Sequence, residues 1–160
     1  MKVAFTGHRD YSELTTSRLR DVIEAMYEEG YHTFLSGMAE GFDIAAAEVV
    51  LELKRRGCDV KLHCIVPFRG HRRCMPNKEW SMRYQDIINN ADQVIILTES
   101  YAPNTFKERN AYLVASADAM ICYYSGKSRS GTGYTVRLAL KKSIRTINIY
   151  TITEQILFFG

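Results

Sequence analysis

Short apolar runs alternate with stretches of helical periodicity along this chain. "KVAFTG" predicts a first strand ending at Gly7. In "TTSRLRDVIEAMYEEG" the positions Leu19, Val22, Ile23, Met26 and Tyr27 form one apolar helical stripe, and Gly30 is a natural stop. "YHTFLSG" predicts a second strand, and Asp43 to Arg56 a second helix closed by Gly57. "VKLHCIVPF" reads as a third strand, "EWSMRYQDIINNAD" as a helix and "QVIILTES" as a fourth strand. A polar segment with Pro103 and Asn104 leads to a short helix from about Lys107. "DAMICYYS" predicts a fifth strand, "TGYTVRLALKKS" a helix and "RTINIYT" a sixth strand.

Strands this apolar, each followed by a helix, fit a sheet covered on both faces. The expected fold class is α/β: a doubly wound, mainly parallel Rossmann-like sheet of about six strands with helices on both faces. No repeat, low-complexity tract or linker divides the sequence, so residues 1–160 are expected to form a single domain. Hydrophobic residues make up 46% and charged residues 24%, as in soluble globular proteins. The net charge of +3 is too small to identify a nucleic-acid binder by itself. With neither an apolar leader nor a membrane-length segment, the expected compartment is cytoplasmic. The tail "TEQILFFG" is apolar for a chain end and is expected to pack against the body or a second subunit, which favours a homodimer.

Four cysteines, Cys58, Cys64, Cys74 and Cys122, form no CxxC pair. His63, Cys64, His71 and Cys74 crowd one region, but Cys64 lies in an apolar strand and the spacing matches no common zinc pattern. No metal site is expected.

In doubly wound folds ligands bind beyond the carboxyl ends of the strands, where strand order reverses. The strand ends here read "TGHRD", "SGMAEGFD", "PFRGHRR", "TESYAPN" and "SGKSRSGTGYT". Glycines, hydroxyl residues and arginines thus gather at one sheet edge. That composition suits an anionic, phosphate-bearing molecule, which needs close backbone approach, N–H groups at helix starts and cationic forks. Each piece also has a plain structural reading. Gly37 and Gly41 serve a tight connection, Asp43 caps the second helix, His8 is a loop histidine, and Arg9, Arg69, Arg72 and Arg73 are a solvated face. Two familiar nucleotide motifs are missing. No GxGxxG follows the first strand, and "GKS" at Gly126 to Ser128 has Ile121 where a P-loop has its first glycine.

Several loops resemble a known family. "LSGMAEGFDIAAAE" is similar to the "SGxAxGxDxxAH" segment of the DNA-processing protein A family. "RSGTGYTVRLALKKSIRTINIY" resembles that family's "SGSLxTARxALExGRxVxAVP" segment. "RNAYLVASADAMICYYSG" resembles a stretch of the LOG-type phosphoribohydrolases. "TGHR", "PF" before a Trp-containing helix, "RN" and "GTGYT" follow the order seen in the small YpsA and YoqJ branch of the SLOG superfamily. The chain is thereby identified as a member of that superfamily.

The resemblance implies a pocket for a nucleotide or nucleotide-sugar derivative, such as an ADP-ribose-like molecule or a cyclic nucleotide. Its expected ligand-binding residues are Gly7, His8, Arg9, Ser36, Gly37, Gly41, Asp43, Pro67, Phe68, Arg109, Asn110, Ser130, Gly131, Thr132 and Gly133. Arg109 occupies the place of an arginine near the reacting ribose in LOG enzymes. Their "GTxxE" glutamate has no counterpart, since Thr135 or Arg137 stands there; Glu40 and Glu108 are candidate substitutes. Binding or sensing of a nucleotide is therefore expected ahead of N-glycosidic hydrolysis. A third function, single-stranded DNA binding, would use "RGHRRCMPNKEW" with Trp80 or Phe68 stacking on bases.

Overall fold

The computed structural model describes residues 1–150. The expected tail contact of "TEQILFFG", and the last residue of the "RTINIYT" strand, lie outside the described residues. Six strands form one sheet: β1 (Lys2–Gly7), β2 (Thr33–Ser36), β3 (Lys61–Val66), β4 (Gln93–Ile96), β5 (Ala119–Tyr123) and β6 (Arg145–Asn148). Every pairing is parallel, in the order β4-β3-β2-β1-β5-β6. Strand order runs outward from β1 in one direction through β4, then crosses back so that β5 lies on the other side of β1. The reversal point is the β1/β5 boundary, held in register from Val3 opposite Ala119 to Gly7 opposite Tyr123.

The five helices divide between the two faces. Helices α1 (Thr16–Glu28), α2 (Phe42–Arg55) and α3 (Lys78–Asn90) cover one face around Phe5, Phe34, Leu62 and Ile121. Helices α4 (Thr105–Ser116) and α5 (Gly131–Lys142) cover the other around Ala4, Leu35, Ile65 and Met120. Adjacent residues of one strand thus feed opposite cores, the two-fold alternation that makes parallel strands apolar throughout. The α/β Rossmann-like expectation holds.

Helix boundaries follow local chemistry. Asn77 caps α3 by accepting from the N–H groups of Glu79 (2.8 Å) and Trp80 (3.3 Å). Lys142, in the last turn of α5, donates to the carbonyls of Val114 (2.8 Å), Ala115 and Ala117, placing a cation on the C-terminus of α4. Helix α4 begins at Thr105 rather than at Lys107, because the Thr105 hydroxyl and N–H both bond the Ala102 carbonyl and close the first turn earlier. Asp43 is not the cap of α2. Gly41 holds that position, and Asp43 lies inside the first turn.

Phe42 ties the carboxyl edge of the sheet to the core. It is fully buried, packs edge-on to Phe5 (6.1 Å) and Tyr11 (5.7 Å), and stacks on Tyr123 (6.0 Å). Its N–H also donates to the His8 carbonyl, which joins the start of α2 to the end of β1. Replacement of Phe42 by Ala should lower unfolding free energy by about 3–5 kcal/mol, read from the midpoint of denaturant unfolding. A loss below about 1 kcal/mol would show that the ring cluster rearranges without it.

Candidate functional site

A cleft of about 470 Å³ opens where strand order reverses. Five segments build it. The end of β1 supplies Thr6, Gly7, His8 and Arg9; the β2–α2 connection supplies Ala39, Glu40 and Asp43. The turn after β3 supplies His71, Cys74, Met75 and Pro76. The last wall is Phe106, Arg109 and Asn110 on α4, with Ser130, Gly131 and Thr132 at the start of α5.

The start of α5 is built to present N–H groups. Ser130 caps the helix by accepting from the Gly133 N–H (2.9 Å), while its hydroxyl donates to the Lys127 carbonyl (2.6 Å). The N–H groups of Gly131 and Thr132 have no hydrogen-bond partner among the described residues. Gly133 stands behind this edge, where a Cβ would lie 2.8 Å from the Ser128 carbonyl oxygen. At the positions where LOG-type enzymes carry their glutamate, the Thr135 hydroxyl bonds the Gly131 carbonyl and Arg137 bonds the Ser128 carbonyl. No carboxylate stands there.

Across the cleft, Arg109 is buried. Its Nη1 donates to the Gly37 carbonyl (2.7 Å) and its Nε to Asn110 Oδ1 (2.8 Å). Nη2 has no partner among the described residues, and no carboxylate lies within ion-pair distance. Burial pulls the Arg109 pKa down, opposed chiefly by the charge of Asp43. Gly37 makes this packing possible, since a Cβ there would come 2.6 Å from the arginine Cδ. Ser36 orders the same connection, donating to the Asp43 carbonyl (2.9 Å) and accepting from the Met38 N–H (3.2 Å). Met38 is held at φ 62°, a left-handed conformation costing about 1–2 kcal/mol for a residue with a Cβ. Gly41 adopts φ 92° and lies against the Arg9 backbone, where no side chain fits.

Asp43 is 4% exposed, and its Oδ2 accepts from the Ala39 N–H at 3.3 Å. Its Oδ1 is buried with no partner among the described residues. Burial pushes this carboxyl up from 3.8 to about 6, moderated by the charge of Arg109. His71 is driven the other way, down to about 3, by burial and then by the charges of Arg109 and Arg9. It is neutral at physiological pH and shares a 3.2 Å hydrogen bond between Nδ1 and the Tyr84 hydroxyl. Arg9 is solvent-exposed at the cleft with no hydrogen bond or ion pair among the described residues. His8 is tied into the wall, accepting at Nε2 from the Ser125 N–H at 3.0 Å.

Ten of the residues expected around a ligand or as candidate carboxylates line the cleft: Gly7, His8, Arg9, Glu40, Asp43, Arg109, Asn110, Ser130, Gly131 and Thr132. Ser36, Gly37, Gly41 and Gly133 stand behind it and shape the loops that do. Pro67 and Phe68 are buried in the next layer, with the Phe68 ring edge-on to His71 (5.6 Å) and Phe106 (5.9 Å). Glu108 lies on the outer surface of α4, bonded to Asn104. His71, Cys74 and Phe106 line the cleft without having been singled out for it; the available signals were their positions after β3 and three residues before Arg109. In the basic segment, Arg69 pairs with Glu99, Arg72 bonds Ser81 and Gln85, and Trp80 is half-buried beneath Arg83.

Titration of Asp43 gives a measurable signature. Because its carboxyl holds a proton to about pH 6 when folded and only to 3.8 otherwise, the folded state binds more protons between those values. The stability it confers is complete below pH 3.8 and is lost as pH rises through about 6. Relative to Asp43→Asn, the wild-type chain should lose about 3 kcal/mol between about pH 4 and about pH 8, measured by denaturant unfolding. Parallel curves for the two proteins would rule out the raised value.

With this geometry in place, likenesses to other proteins take on meaning. A UPF0398 protein of Staphylococcus aureus strain JH9 is 27% identical over 147 residues, covering 89% of this chain and 78% of that one. The same match is found in strain COL. Among solved structures, DNA processing protein A of Streptococcus pneumoniae shares the fold, with a TM-score of 0.66, 23% identity and 91% of this chain covered. The chain spans about half of that protein, 48% of its length. DNA processing protein A of Helicobacter pylori, whose structure concerns its single-stranded DNA binding mode, also gives 0.66, at 21% identity over 91% of this chain and 63% of its own. The YpsA family model matches residues 3–157, nearly the whole sequence, and the chain belongs to the YspA SLOG family.

Proposed function

We propose that the chain binds a phosphate-bearing, nucleotide-derived small molecule in the cleft at the β1/β5 boundary. The observation that carries this reading is the meeting of two kinds of unspent donor in one cavity. The N–H groups of Gly131 and Thr132 at the start of α5 and the Nη2 of buried Arg109 have no partner among the described residues, and all three residues line the same cavity. A phosphate accepts from both, and the helix dipole favours its charge. His71, held neutral chiefly by burial and then by the charges of Arg109 and Arg9, adds no charge of its own to the cleft. The volume of about 470 Å³ is within the range of small-molecule sites.

Single-stranded DNA is the second reading, favoured by the likeness to the Helicobacter pylori protein. Against it, two of the basic side chains expected to hold DNA, Arg69 and Arg72, are committed to partners within the chain. For N-glycosidic hydrolysis, Glu40 is the half-buried carboxylate at the cleft and Glu108 is remote from it.

Thermal melting against AMP, ADP-ribose and cyclic dinucleotides tests the proposal. A ligand at one hundred times its Kd should raise the midpoint by about 5–10 °C. Arg109→Lys, which loses the planar fork, should weaken the response by about tenfold in ligand concentration. No response across the panel would remove the reading. Oligonucleotide binding that falls steeply with salt would favour DNA instead. Release of free adenine from AMP would establish hydrolysis.

A further inference from the structure

The cleft holds a demand that an ionised phosphate oxygen, which only accepts hydrogen bonds, cannot meet. Asp43 lines the cavity, and its Oδ1 is buried with no hydrogen-bond donor among the described residues. A buried polar atom left unsatisfied costs about 1–3 kcal/mol, more when charged. Arg109 interacts with it through charge, but its printed hydrogen bonds go to Gly37 and Asn110. A divalent cation is a poor candidate partner beside a buried guanidinium, and no cluster of three or more acidic, histidine or cysteine side chains suited to a metal exists among the described residues. No described residue supplies the missing donor, which leaves a hydroxyl of the ligand as the candidate.

The fold says where on the ligand that donor lies. In dinucleotide-binding sheets, an acidic side chain near the strand beside β1 takes the hydrogen bonds of the ribose hydroxyls, while phosphate sits on a helix start near the point of reversal. Here the acidic side chain follows β2, which pairs with β1 on one side. The free helix N-terminus follows β5, which pairs with β1 on the other. The two flank the end of β1, with Gly7 and His8 between them. A 5′-phosphorylated sugar laid across the end of β1 would put its phosphate over Gly131 and its ring hydroxyls toward Asp43.

We propose that Asp43 accepts hydrogen bonds from the sugar hydroxyls of the ligand and so makes the cleft selective for ribonucleotides over 2′-deoxyribonucleotides. The inference rests on the nucleotide reading above and adds the sugar to it. Asp43 is a recognition residue in this account; its charge also acts on Arg109, an effect that the ribo and deoxy forms share through their common phosphate. A deoxyribose ligand leaves the carboxylate with one donor fewer and retains every phosphate contact.

Calorimetric titration of the wild-type chain with AMP, GMP, CMP, UMP and ADP-ribose, each nucleoside monophosphate beside its 2′-deoxy counterpart, tests this. The ribonucleotide that binds should outcompete its deoxy form by about 10- to 100-fold, the value of a hydrogen bond to a charged group. Asp43→Ala should reduce that ratio to within about threefold, by weakening the ribo form far more than the deoxy form. Equal wild-type affinities for the two sugars would overturn the sugar assignment and leave nucleotide binding standing. Binding of no member of the panel would overturn both. Should Asp43→Ala fail to fold, as judged by circular dichroism, the wild-type ratio alone decides.

Discussion

A guanidinium taken out of water between α4 and the β2–α2 connection constrains everything around it. Desolvating a cation is costly unless its donors are used, and Arg109 uses two of them on Gly37 and Asn110. That anchoring dictates a glycine at position 37, because any side chain would collide with the arginine stem. It adds to the burial that keeps His71 neutral, since a second cation so near would be repelled. It moderates the rise in the Asp43 pKa that burial alone would cause. One buried charge thus links three segments that are far apart in sequence.

The sheet order explains why those segments meet. Because β1 is central and the chain reverses beside it, the loops following β1, β2, β3 and β5 all open at one end of the sheet. Helix α4 approaches from the opposite face and inserts Arg109 and Asn110 between them. Phe42 and Tyr123 stack beneath the end of β1, so the cleft floor is part of the hydrophobic core. A rigid floor and bonded walls leave the donors preorganised. Little ordering would be needed when an anion arrives.

Much of this was legible in the sequence because the strands are apolar throughout and the helices carry regular stripes. The Leu19, Ile23 and Met26 stripe of α1 is buried as its spacing requires. The clustering of "TGHR", "SGMAEGFD" and "RSGTG" at one edge followed from parallel topology alone. Two kinds of information were not legible. Whether a glycine faces the ligand or makes room behind it depends on packing, so Gly37 and Gly7 read alike in sequence yet differ in place. Nor could local pattern separate a capping aspartate from a buried recognition group. Asp43 sits two residues past Gly41, and the register of the helix start by a single turn decides between the roles. His71 was hidden for a related reason: a histidine flanked by arginines reads as solvated surface, whereas the turn after β3 folds it inward against Tyr84.

The cleft asks for two opposite things. Around Arg9, Arg109 and the α5 start it offers donors and positive potential; around Asp43 and Glu40 it offers acceptors. An ionised phosphate oxygen answers only the first, and a purely cationic ligand only the second. A deoxyribose-phosphate backbone supplies acceptors along its length and few sugar donors, so it matches the arginine side better than the aspartate side. A ribonucleotide carries an anionic end and a hydroxylated middle about one sugar apart, and answers both. The likeness to the DNA processing proteins bears on the shared fold, while under the proposed reading Asp43 is the feature that would separate one phosphate-bearing partner from another.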